Sequence, residues 1–171
     1  VYKDAAISYY VERDQDYDRV LDIFVRANEA GTELNKAQII TSMFESKWEG
    51  GAKDKINNLI DRVNSHLPRP NSISLEFVMR TCLVLGDMPV RYRINNFSNH
   101  NIGRIEEMWP DIQGAVLRTL TLVNKFSIDQ NNLTSQNALI PLVLYFFQNS
   151  GVSFLGTTPF EVQNAVRMRH W

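Results

Sequence analysis

A chain of 171 residues that is 44% apolar and 22% charged has enough material for one domain with a core of its own. Its formal net charge of -1 and pI near 6.3 give no bulk attraction to nucleic acid or to an anionic membrane, so binding of either kind needs a local basic patch. The densest apolar run, "ALIPLVLYFF" from Ala138 to Phe147, is about half of what a bilayer requires, and a soluble, cytoplasmic chain without membrane contact is expected.

The first predicted element is a strand. In "AAISYYVER" the residues Ile7, Tyr9 and Val11 alternate with Ser8, Tyr10 and Glu12, the period of a pleated strand. A lone strand at the start, in a chain that opens on Val1, suggests a piece of a longer polypeptide whose other strands lie upstream.

Everything after it reads as helix. "DYDRVLDIFVRANEAG" sets Tyr17, Val20, Leu21 and Phe24 on one face and stops at Gly31, a residue suited to a left-handed helix cap. Asn28 falls on that apolar face, where an amide is out of place. "NKAQIITSMFESKW" follows, with Asn35 and Gln38 as a capping box and Ile39, Ile40, Met43 and Phe44 as its buried stripe. After "EGGA", the residues Ile56, Leu59, Ile60, Val63 and Leu67 recur at helical spacing until "PRPNS". A helix from Leu75 to Leu85 is apolar nearly all round and is expected to be central.

"GDMPVRYRINNFSNHNIG" reads as a loop. In the next segment Pro110 starts or kinks a helix, and Ile112, Val116, Leu120, Val123 and Phe126 form a long stripe. "SQNALIPLVLYFFQNSG" is a further helix with Pro141 near its start, and "TPFEVQNAVRMRHW" opens with Thr158, Pro159 and Glu161 as a capping box. The fold class is therefore mainly α: six or seven helices with one N-terminal strand, divided into residues 1–48 and a helical domain 49–171.

Few residues carry chemistry. The single cysteine, Cys82, precludes an internal disulfide and sits among apolar neighbours as an unreactive core thiol. "DQDYD" at Asp14 resembles the start of a calcium loop, but Arg19 and Val25 stand where glycine and glutamate are required, so the acids suit a helix N-terminus instead. His66, His100 and His170 show no metal-ligand spacing. Arg91, Tyr92 and Arg93, with amides around them, combine cations and an aromatic in a way that suits phosphate contact and base stacking, and equally suits a solvated loop. The first helix–glycine–helix also has the outline of a DNA-reading motif, but its second helix begins without arginine.

One stretch carries a resemblance. "YDRVLDIFVRANEAGTELNKAQIITSMF" is similar to the signature F-x-x-x-N-x-x-G-x-x-L-(S/N), met here by Phe24, Asn28, Gly31, Leu34 and Asn35, of bacterial proteins with a ParB-like domain of unknown function associated with restriction. "LTSQNALIPLVLYF" resembles a helical segment that family carries further along, and the two stretches together cover about a quarter of the chain. Members resemble the Gmr-type modification-dependent restriction enzymes, with an upstream Asp-Gly-Gln-Gln-Arg motif linked to nucleotide binding and hydrolysis and often an HNH-type nuclease. This chain has neither.

The resemblance thus implies the C-terminal remnant of a truncated α/β ParB-like domain, strand plus two helices, joined to a helical domain. It implies a regulatory or recognition segment of a nucleotide-dependent, restriction-like anti-phage protein that has no catalytic residues or cofactor of its own. Nucleotide and magnesium would be held with the missing upstream part of the parent chain, and DNA and a second copy are the other expected partners. Asn28, Gly31 and Thr32 would contribute to the nucleotide pocket, and Arg91, Tyr92 and Arg93 to nucleic-acid contact. A helical protein-interaction module unrelated to restriction is the alternative.

Overall fold

The computed structural model describes residues 36–69, 71–90 and 96–170, together with Val11, Arg13, Arg19 and Ile23. The chain divides into two compact units, Val1–Asn35 and Lys36–Trp171. Apart from Val11 of the expected strand and Arg19 and Ile23 of the expected first helix, both of which are helical, those two elements lie outside the described residues.

Unit Lys36–Trp171 is built of helices: α1 (Lys36–Lys47), α2 (Ala52–Ser65), α3 (Leu75–Leu85), α4 (Asn99–Lys125), a 3-10 turn (Gln136–Leu139), α5 (Ile140–Gln148) and α6 (Pro159–His170). Its mainly helical character follows from the apolar spacing. Ile39, Ile40, Met43 and Phe44 of α1 are all buried, as are Ile56, Leu59 and Val63 of α2. α3 runs over the expected residues and touches α1, α2, α4 and α5, so it is central, a position it shares with α4, which touches α1, α2, α3 and α5. Seven of the eleven side chains of α3 are buried, which is why its polar face is confined to the ion pair of Glu76 with Arg80 one turn on. α4 packs along α5, and its stripe Ile112, Val116, Leu120 and Val123 is buried.

The sequence reading divides the chain after residue 48, yet α1 packs on α2, α3 and α4 within the Lys36–Trp171 unit. The turn between α1 and α2 explains the double glycine. Gly50 and Gly51 both take positive φ, 83° and 81°, which strains any residue with a Cβ. Gly51 has no side chain to cap α2, and Glu45 of α1 does so instead, its Oε2 accepting the Lys53 N–H at 2.7 Å.

The loop expected from Gly86 to Gly103 ends early, because α4 already begins at Asn99. Ser98 caps it by accepting the Asn101 N–H at 3.4 Å, while the Asn101 amide donates back to the Asn96 carbonyl at 2.8 Å. Pro110 neither starts nor stops this helix. It sits inside it with its ring exposed, so the Glu106 carbonyl that loses a donor is on the solvent side.

The capping box of α6 forms with a variation. Thr158 Oγ1 accepts the Glu161 N–H at 3.3 Å, and the Glu161 carboxylate accepts from Thr158 Oγ1 at 2.8 Å and from the Gly156 N–H at 3.1 Å. The Thr158 hydroxyl, then the Gly156 and Thr158 backbone, hold the Glu161 carboxyl below its ordinary value of 4.5. A carboxyl lowered on folding adds stability above its unfolded value and loses it as pH falls through the folded one. Below pH 4.5, α6 is therefore expected to loosen from its N-terminus, and Glu161→Gln to weaken the same end at neutral pH. An NMR titration of Glu161 with a midpoint at or above 4.5 would contradict this.

Candidate functional site

The positions singled out from the sequence, Asn28, Gly31 and Thr32 for nucleotide and Arg91, Tyr92 and Arg93 for nucleic acid, all lie outside the described residues. For the second set the flanks are described. The Asn96 side-chain amide donates to the Pro89 carbonyl at 2.9 Å, tying together the two ends of the segment that carries the arginines. Asn101 then ties Asn96 to the first turn of α4. Val90, at the entry to the segment, is exposed.

Other candidates fall into place by burial. Cys82 is fully buried on α3, and desolvation pushes its thiol up to about 12, so the thiolate needed for chemistry is disfavoured. His66, at the end of α2, His100, in the first turn of α4, and His170, at the end of α6, are all exposed on separate elements. Among the described residues no three His, Cys, Asp or Glu side chains converge as a metal-binding group. No helix among them is long and apolar enough to cross a membrane.

Two arrangements escaped the sequence reading. The first is an aromatic group: Phe44 lies 5.6 Å from both Trp48 and Phe97, and Trp48 meets Trp109 edge to face at 5.1 Å. Lys55 Nζ sits 5.5 Å over the Trp48 ring. Both indole N–H groups are buried without a hydrogen-bond partner. The Phe44–Trp48 spacing of four residues was a readable signal, but Phe97 lay in a segment read as loop.

The second is a set of amides that fastens the connection between α2 and α3. Asn64 holds Ile73 by both backbone groups, accepting its N–H at 2.7 Å and donating to its carbonyl at 3.1 Å. Gln136 donates to the Ser72 carbonyl at 2.7 Å and accepts the Ser74 N–H and hydroxyl at 3.0 Å. Asn124 donates to the Arg69 carbonyl, Ser72 donates to Gln130, and Arg69 pairs with Asp129 at 3.7 Å. Ser72 takes a positive φ of 49°, and the Asn71 side chain, 1% exposed, has neither of its polar atoms bonded. Asn71 apart, the amides of Asn64, Asn124 and Gln136 are used on the chain's own backbone, which makes the arrangement a latch rather than a ligand cradle.

A scan against protein-family models found no match to this chain, and a search of curated proteins found no significant similarity.

Proposed function

We propose that this chain is a regulatory or recognition segment of a nucleotide-dependent, restriction-like protein of the ParB-like group, without catalysis of its own. The observation that carries this reading is the run Phe24, Asn28, Gly31, Leu34, Asn35, which in sequence leads directly into α1. α1 is not a loose end. Its stripe is buried in the helical unit, so a ligand-responsive turn before Lys36 would be covalently coupled to a rigid element. The second resembling stretch, Leu133 to Phe146, supplies the 3-10 turn and most of α5, whose Val143 and Phe146 are buried.

In this reading Asn28 serves the turn "EAGTE", the nucleotide, or both. Its amide and the N–H groups of Gly31 and Thr32 would face phosphate or base only when the upstream part of the parent polypeptide, with its Asp-Gly-Gln-Gln-Arg motif and magnesium, completes the pocket. Arg91, Tyr92 and Arg93 would make the nucleic-acid contact. Asn28→Ala in the parent, scored separately for thermal stability and nucleotide affinity, tests the assignment. The expected outcome is an affinity loss of about tenfold or more, the equivalent of about 1.4 kcal/mol. Loss of stability with unchanged affinity would reduce Asn28 to a turn-fixing residue and remove the pocket.

A further inference from the structure

Among the described residues three polar ones are buried, Asn71, Thr81 and Thr119. The two threonines are served inside their own helices: Thr81 Oγ1 donates to the Phe77 carbonyl at 2.8 Å and Thr119 Oγ1 to the Ala115 carbonyl at 2.9 Å. Asn71, in the connection between α2 and α3, has no such solution. It is 1% exposed, and neither its Oδ1 nor its Nδ2 meets a hydrogen-bond partner. Folded chains pair nearly all their buried polar groups, with the chain itself or with ordered water, because an amide taken out of solvent without replacement bonds is costly.

The groups next to Asn71 along the chain are already engaged. The Arg69 carbonyl takes the Asn124 amide, the Ser72 carbonyl takes Gln136, Asn64 holds both backbone groups of Ile73, and the Ser74 N–H goes to Gln136. What these bonds leave over is the second lone pair of each carbonyl, which suits Nδ2–H but gives Oδ1 no donor. The species that satisfies Asn71 must therefore bring a donor as well as an acceptor. A cation would serve Oδ1 and oppose Nδ2, and an anion would do the reverse. A larger polar solute would have to displace a connection that is tied down at Arg69, Ser72, Ile73 and Ser74.

We propose that Asn71 holds an internal water molecule, which completes the latch between α2 and α3. In a primary amide the oxygen and one N–H lie along the same edge, so a single water accepts from Nδ2 and donates to Oδ1. Its second hydrogen goes to a spare lone pair on a carbonyl of the connection. That makes three bonds, the usual number for a buried water. Ser72, the next residue, takes φ 49°, a conformation that persists where its surroundings over-determine it. The water adds a fastening beside it that no side chain supplies.

The test uses the 171-residue chain labelled with nitrogen-15. Cross-relaxation is expected between water and the Asn71 side-chain amide protons, with NOE and ROE of opposite sign, the mark of a water that tumbles with the protein. Ser72→Ala removes the neighbouring hydroxyl as a relay of exchangeable protons, and the signal should survive it. In Asn71→Leu, of similar volume and without polar atoms, the oxygen-17 relaxation dispersion of the solvent should lose the share of a single internal water, with circular dichroism checking the fold. Where that variant does not fold, the cross-relaxation in the unsubstituted chain decides alone. Absence of cross-relaxation at Asn71, NOE and ROE of the same sign, loss of the signal in Ser72→Ala, or undiminished dispersion in folded Asn71→Leu would overturn the proposal.

Discussion

Replacing Phe44 by alanine is expected to destabilise the helical unit by about 3–5 kcal/mol. The ring is fully buried and lies between Trp48, one turn further along α1, and Phe97, which precedes α4. Its removal withdraws apolar area from the core, and it also leaves a cavity that its two stiff aromatic neighbours cannot collapse to fill, because Trp48 is itself held against Trp109. The loss therefore belongs at the upper part of the range for such truncations. Urea unfolding followed by tryptophan fluorescence reads both stability and the local environment of Trp48 in one titration. Val90→Ala, at an exposed apolar position, serves as the control and should stay within about 0.5 kcal/mol. A deficit below about 1 kcal/mol for Phe44→Ala would mean that α1 contributes little to the unit, and with it the coupling argued for the turn before Lys36 would fall.

How far these contacts were readable beforehand depends on their range. α3 was legible because Ser74 and Gly86 punctuate it and its side chains are apolar on nearly all sides, Glu76 and Arg80 excepted; its cap forms locally, with Ser74 Oγ accepting the Phe77 N–H at 3.2 Å. The capping box at Thr158 was legible for the same reason. The start of α4 was not, since Asn99, His100, Asn101 and Gly103 have the composition of a turn, and the hydrogen bonds of Ser98 and Asn101 that make them helical depend on side-chain placement. The segment before α5 was read as plain helix, although Gln136–Leu139 forms a 3-10 turn and the α-helix begins at Ile140. Gln136 reaches back 62 and 64 residues to Ser74 and Ser72, a pairing that local patterns cannot encode. The candidate nucleotide and nucleic-acid positions lie outside the described residues, so what supports them is their sequence alone.

Asn64→Ala is the second substitution with a large expected effect, and it acts without touching the apolar core. Ile73 is 2% exposed, so the backbone N–H and carbonyl that Asn64 satisfies have no ready access to water. Each buried group left without a partner costs about 1–3 kcal/mol. Asn64→Asp separates the two bonds: the carboxylate still accepts from the Ile73 N–H but can no longer donate, and it sets a negative charge against the Ile73 carbonyl. That variant should be weakened at neutral pH and recover partly in acid, where the protonated carboxyl donates again. Hydrogen exchange at the Ile73 amide should quicken in Asn64→Ala and much less in Asn64→Asp. Because Asn64 and Gln136 fasten the same short connection from two sides, a double-mutant cycle should give a coupling of about 0.5 kcal/mol or more rather than simple addition. Additive losses, with Ile73 exchanging as in the wild type, would show that the connection is held by Ile73 and its apolar neighbours alone, and that the amides merely decorate it.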